Sequence, residues 1–288
     1  MNAVQLPARH GATARAAAVA ALVANVLIVL TGALVRLTGS GLGCPTWPSC
    51  TGDSFVTTPE MGVHGVVEFG NRVLGIVVGL ITLALVVAVV RHRARPPKAL
   101  PLAVGVLVGV GVQGLIGGLS VRRALAPEIV ASHFLVSMVL VAALTVLVDL
   151  LARPDAVLRT PALDLRVRWG VAVLPVVLTA VLVLGSLVTG SGPHAGDENA
   201  RRFGFDAGEL TALHGTAVVM LVGLVSGLAA RLRNRAVFAL LAVIVAQGVI
   251  GGFQDALALP VPLVAAHVVT AALVVAATAH LVVRTFRA

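Results

Sequence analysis

QGLIGGLSVRRALAPEIVASH at residues 113–133 and QGVIGGFQDALALPVPLVAAH at residues 247–267 are one stretch written twice. The copies align without a gap at an offset of 134, and 10 of their 21 positions are identical. Each leaves one apolar run, passes a short turn and ends on a histidine in the next run, His133 or His267. A second pair of segments repeats in the same order. Thr38-Gly39-Ser40-Gly41 returns as Thr189-Gly190-Ser191-Gly192, and His64-Gly65 returns as His214-Gly215. Ordered repeats of this kind mark tandem halves. Each half carries two histidines at matching places.

Apolar residues make up 58% of the chain and charged residues 11%, where a soluble domain has about a quarter charged. Eight apolar runs fall at about 16–36, 66–90, 100–119, 129–152, 170–188, 211–230, 236–252 and 262–283. Runs of that length predict membrane-spanning helices; spanning strands would be short and alternating. The expected fold is therefore an all-α integral membrane protein, with eight transmembrane helices as two tandem pseudo-symmetric four-helix bundles. Residues 1–152 form the first half, 153–169 a cytoplasmic linker and 170–288 the second half. The first 15 residues read as a disordered basic arm. The first apolar run lacks a clear small-residue cleavage site, which predicts a retained helix and not a signal peptide.

The net charge of +9 raises nucleic acid as a partner, but its distribution argues against that. With a cytoplasmic N-terminus, 15 of the 21 Lys and Arg residues lie in inner segments, Arg159 and Arg287 among them. The outer side keeps Arg36, Arg72, Arg122, Arg123, Arg201 and Arg202. This is the positive-inside pattern, with both termini cytoplasmic. No nucleic-acid role is assigned.

Cys44 and Cys50 share the first outer loop, VRLTGSGLGCPTWPSC at 35–50. An oxidising compartment favours a disulfide there; free thiols or a metal pair are the alternatives. Trp47 fits an interfacial anchor. Glu68 and Arg72, four apart in the second helix, share a face. An ionisable residue in a span is a functional candidate, and a brace between helices is the plainer reading of the pair.

His64, His133, His214 and His267 all open even-numbered helices at the outer side. One such histidine is ordinarily a packing residue. Four, paired by a repeat, point to ligands. Histidines on facing helices of a bundle hold planar cofactors, and neutral imidazole suits haem iron. Two per half gives one bis-histidine haem site per half. Zinc or di-iron would call for clustered carboxylates or an i, i+4 histidine pair, which the helices lack. His10 and His92 read as solvated, His194 as part of a site mouth, and His280 as structural.

With these residues assembled, the chain resembles the haem A synthase family in its actinobacterial form. The carrying stretches are LTGSGLGCPTWPSC (37–50), HGVVEFGNR (64–72), the two QGxIGG segments with their histidines, and TGSGPHAGD (189–197). The resemblance implies oxidation of a methyl group of haem O to a formyl group, giving haem A for terminal oxidases. It implies a substrate haem in the first half and a haem b in the second. His214 and His267 match the haem b ligands, His133 a histidine of the substrate site, Glu68 the acidic residue beside it, and Cys44 and Cys50 a loop disulfide. One departure stands out. Many members have E-x-x-H-R in the second helix, where this chain has Glu68-Phe69-Gly70-Asn71-Arg72. His64 is then the expected first-half ligand, paired by the repeat with His214; a substrate haem on His133 alone is the alternative. Expected partners are haem O, a haem O synthase that supplies it, membrane lipid and a second copy of the chain. A dihaem b-type electron carrier exchanging electrons with quinone is the competing function. It would need the histidines but neither Glu68 nor the cysteine loop.

Overall fold

The computed structural model describes residues 5–153, 164–194, 196–197 and 199–286, with side chains from residue 11. Among the described residues every regular element is helical: α1 (Gln5–Leu37), α2 (Gly62–Arg91, after a 3-10 turn at Pro59–Met61), α3 (Ala99–Arg122), α4 (Pro127–Ala152), α5 (Leu165–Ser191), α6 (Ala207–Leu232), α7 (Arg235–Ala256) and α8 (Val261–Phe286). All eight are long and apolar enough to cross a membrane. Large side chains such as Ile76, Val176 and Val219 are exposed on their flanks. That would be anomalous in water and suits a face turned to lipid.

The helices outrun the apolar runs. α1 begins at Gln5 and takes in most of the basic arm expected to be disordered; α7 reaches from Arg235 to Ala256. Polarity marks where lipid would end, while backbone hydrogen bonding continues past that point. Of the linker expected at 153–169, residues 154–163 lie outside the described residues, as does Arg287. Three helices start on side-chain caps. Asp164 accepts from the Arg166 N–H, Asp206 from Glu209 and Asn234 from Val237. Pro127 opens α4, where a missing N–H costs nothing.

α1 packs on α2, α2 on α3, α3 on α4, and α4 back on α1; α5–α8 close a second ring in the same way. The rings meet where α8 lies against α1 and α4, and α4 against α5. One end of the molecule carries the cysteine loop. There the Arg36 guanidinium donates to the Thr189 carbonyl at 2.8 Å and the Gly41 N–H to Gly196 at 3.0 Å. The two Thr-Gly-Ser-Gly segments thus tie the rings together. At the other end His280 on α8 pairs with Asp149 on α4 at 2.8 Å.

Each ring is packed solid only away from the cysteine loop. In the first, Ala14, Ala18 and Ala21 form a small-residue stripe against Leu140, Leu144, Leu147 and Leu151, with Leu85, Val89, Ala103 and Val106 completing the cluster. In the second, Val171, Leu174 and Leu178 meet Val225, Leu228, Leu240, Ile244 and Leu281. Lipid tails are as apolar as leucine, so close van der Waals packing of small against large residues holds such helices together. Toward the cysteine end the clusters thin to Val181 with half-buried Phe134, Ala217 and Val268, beside the glycines and histidines.

The 134-residue repeat is a structural repeat, bond for bond. In the α3–α4 turn the N–H groups of Arg123, Ala124 and Leu125 donate to Leu119, Val121 and Ser120. In the α7–α8 turn Leu257, Ala258 and Leu259 donate to Phe253, Asp255 and Gln254. Ala124 and Leu125 have φ of 46° and 56°, Ala258 and Leu259 of 59° and 61°. Left-handed backbone at non-glycine residues costs about 1–2 kcal/mol each. The same strain is held by the same bonds in both copies.

Candidate functional site: two imidazole frames and a disulfide loop

The second ring carries His214 on α6 and His267 on α8. Each ring lies over a glycine. A Cβ at Gly185 would stand 3.1 Å from His214 Cε1, and one at Gly251 3.0 Å from His267 Cε1. His214 Nδ1 is 3.1 Å from the Val181 carbonyl. That oxygen can only accept, so Nδ1 carries the proton and a neutral ring presents its Nε2 lone pair. The Gln247 amide donates to the His267 carbonyl at 3.0 Å.

The first ring repeats half of this frame. Gln113 donates to the His133 carbonyl at 2.9 Å and to the Ser137 hydroxyl. A Cβ at Gly117 would lie 3.5 Å from His133 Cε1. The spacing is therefore a shared geometry: glutamine, glycine four residues on, histidine sixteen after that. In both copies the histidine Nδ1 and the glutamine Oε1 are buried without a hydrogen-bond partner. Buried polar atoms are rarely left so.

His64 does not stand where the repeat implied. Its Nδ1 is 2.9 Å from Ser40 Oγ, three residues past the end of α1, and the residue is exposed. A Cβ at Gly43 would overlap its carbonyl. His214 instead meets Val181 and Gly185, well inside α5. The first-ring residue at that level is Asn71, which accepts at 2.7 Å from Thr31, six residues before the end of α1. His133, His214 and His267 each lie over a glycine five or six residues before the end of a helix, whereas His64 meets Ser40 beyond the end of α1.

Cys44 and Cys50 are disulfide-bonded and fully buried. Their loop is anchored by the Glu68–Arg72 pair. Glu68 Oε2 accepts from the Cys44 N–H at 2.6 Å, and Oε1 accepts from Arg72 at 3.1 and 2.5 Å. Arg72 also donates to the carbonyls of Cys44, Thr46 and Ser49. Glu68 keeps 6% of its side chain exposed; the pair braces a loop onto a helix, whereas the plainer of the two sequence readings was a brace between helices. Trp47 is not a free interfacial anchor. Its indole lies on Gly118 so closely that any Cβ there would collide with it. Gly118 is next to Gly117, which lies beneath His133, so the loop reaches the stretch of α3 that carries the first frame. The counterpart of Gly118 is Gly252, with nothing within 4 Å of its would-be Cβ.

The remaining histidines divide. His92 is 4% exposed, not solvated; Gly11 on α1 passes beside its ring. His194 Nε2 is 3.0 Å from the Leu259 carbonyl, on the turn that leads to His267. His280 pairs with Asp149, which the sequence reading missed, although an acidic residue inside an apolar run is itself a signal. The side chain of His10 lies outside those described. Among the described residues no three His, Cys, Asp or Glu cluster as a metal site. What the frames offer is imidazoles set over glycines between helices. That donor set suits the iron of a flat macrocycle.

A family model described as cytochrome oxidase assembly protein matches residues 15–196. Among curated proteins, a heme A synthase of Symbiobacterium thermophilum is 36% identical over 169 residues, 55% of this chain and 54% of the relative. One of Alkalihalophilus pseudofirmus is 32% identical over 131 residues, 45% and 43% respectively. One of Geobacillus kaustophilus is 30% identical over 174 residues, 59% and 54%. The chain spans about half the length of the curated relatives it matches.

Proposed function

The chain belongs to the cytochrome oxidase assembly protein family, and on that premise we propose that this multi-pass membrane protein is a haem A synthase. It oxidises a methyl group of haem O to a formyl group. The observation that carries this reading is the pairing of two like imidazole frames with a disulfide loop laid over only one. A plain dihaem carrier has no use for that asymmetry.

In this reading residues 1–152 hold the substrate and residues 170–288 a haem b. His214 and His267 are the axial ligands of haem b, with Val181 fixing the tautomer of the first. His133 ligates the substrate iron, and His64, at the rim on Ser40, is the group nearest the way in. When bound, the haems supply the redox chemistry. The chain's own residues bind and orient them. Gly117, Gly185 and Gly251 let the imidazoles lie flat against their helices. Trp47 closes water out of the first frame. Glu68 holds the loop that carries Trp47 through Cys44, and it is the carboxylate assigned to moving a proton there. Methyl-to-formyl conversion removes electrons and protons and adds one oxygen atom. The basic segments favour cytoplasmic termini, which puts the disulfide and both frames at the outer side. Haem O arrives from its synthase through the membrane; a second copy of the chain and lipid are the other expected partners.

The test is to purify the chain from cells supplied with haem O and to identify the extracted haems by chromatography and mass. Haem b together with haem O and haem A is expected. Haem b alone, with no conversion after adding haem O, would favour the electron carrier. No haem at all would sink both.

A further inference from the structure

Six arginines stand at the cysteine end, the side to which positive charge is translocated against preference. Four are engaged. Arg36 bonds Thr189, Arg72 bonds Glu68, Arg201 pairs with Glu128, and Arg202 donates to the carbonyls of Ala200 and Pro193. Arg122 and Arg123 are exposed, and neither side chain has a hydrogen bond or ion pair among the described residues.

The fold does not require them. They occupy the end of α3 and the first turn residue, and the repeat places Ala256 and Leu257 at the same points. That second turn closes through the same bonds without any charge. Compensation of a helix dipole does not explain them either, since α7 ends in the same geometry with no basic residue in its last turn.

Their position gives them a use. Arg122 follows Gly118 by four residues, on the face of α3 that Trp47 covers. His133 lies six residues into α4, about 9 Å of helix rise below the turn. That is comparable to the span from a porphyrin iron to its carboxylate-bearing edge. Two adjacent guanidiniums suit two carboxylates, each bound in a fork. We propose that Arg122 and Arg123 are the anchor for the propionate groups of the porphyrin seated on His133. This rests on the first-half site proposed above. It makes the α3–α4 turn a device that orients the substrate, present in the first frame and absent from the second.

The full-length chain carrying His214→Ala and His267→Ala, which removes both second-ring ligands, would be titrated with haem and with haem dimethyl ester and followed by Soret absorbance. The ester keeps the macrocycle and loses both carboxylate charges. The parent is expected to bind the acid about tenfold more tightly, as charge-assisted hydrogen bonds allow. Arg122→Gln with Arg123→Gln should weaken the acid to the level of the ester and leave the ester unchanged. The paired lysine variant should retain most of the preference. An acid preference that survives the glutamine variant overturns the proposal. So does equal loss of both ligands, which would assign the arginines to folding or to a lipid phosphate. Binding in the parent without preference overturns the proposal alone. Binding that does not depend on His133 overturns the first-half site as well.

Discussion

The two imidazole frames hold His133 and His267 alike and differ in what accompanies each. The second ring adds His214, set over Gly185 with its Nδ1 on a backbone carbonyl. At the level of His214 the first ring has Asn71, bonded to Thr31. Above the first frame lies a disulfide loop with Trp47 on Gly118; above the second, Gly252 is open. Under the proposed function, the half with two histidines keeps its haem and the half with His133 and the Trp47 loop takes a ligand that changes and leaves. In that reading the duplicated frame is the shared binding device, and the unshared residues separate cofactor from substrate.

The largest expected effect comes from removing one imidazole in each frame. His214→Ala should abolish haem b in the purified protein, measured by pyridine haemochrome, and conversion with it. His133→Ala should leave haem b in place and stop conversion of haem O. His64→Ala, at the rim, should slow conversion far less than His133→Ala. Should His64→Ala and His133→Ala prove equally dead while haem b survives in both, His64 reaches the iron after all and the two frames are more alike than their geometry.

A smaller contrast lies in the neighbouring glycines. Gly118→Ala must displace the indole of Trp47, and with it a loop that Glu68 and Arg72 hold through backbone contacts. Overpacking of this kind costs typically 1–3 kcal/mol. Gly252→Ala meets nothing and should be neutral or slightly stabilising, because glycine in a helix interior costs about 1 kcal/mol against alanine. Thermal unfolding of the two variants in detergent would measure the difference. Equal midpoints would mean that Trp47 does not lie on the first frame in solution.

The sequence disclosed the frames because their parts are spaced rigidly within helices and one turn. Gln113, Gly117 and His133 recur at one offset, and a constant offset through helix, turn and helix conserves geometry. It misled at His64 for a physical reason. Thr38-Gly39-Ser40-Gly41 and Thr189-Gly190-Ser191-Gly192 share letters but not conformation. Gly39 has φ of 67°, beyond the end of α1. Gly190 stays inside α5, with Phe203 packed against it. An offset measured from a tetrapeptide that is a turn in one half and helix in the other does not transfer depth. Trp47 on Gly118 and the anchoring of the loop by Glu68 were hidden for a different reason. They join a loop to helices far along the chain, and no period or spacing encodes such a contact.

The finest test of the comparison is at the glutamines. Gln247 donates only to the His267 carbonyl, and the position corresponding to Ser137 is Ala271. Gln113 shares its task, since Ser137 also donates to the His133 carbonyl at 3.1 Å. Replacing Gln247 by leucine removes one hydrogen bond and replacing Gln113 removes two, each worth about 1 kcal/mol, and either change also removes a buried Oε1 that has no partner. The two terms offset, so fold stability should change little in either variant. The orientation of the histidine should not be so indifferent. Gln247→Leu leaves His267 with no side-chain donor at its carbonyl and should speed loss of haem b to an external acceptor by a few-fold. Gln113→Leu leaves Ser137 in place and should alter substrate affinity less, and Gln113→Leu with Ser137→Ala should restore the larger effect. If the single Gln113 variant already equals the double, Ser137 contributes nothing, and the first frame depends on its glutamine as fully as the second.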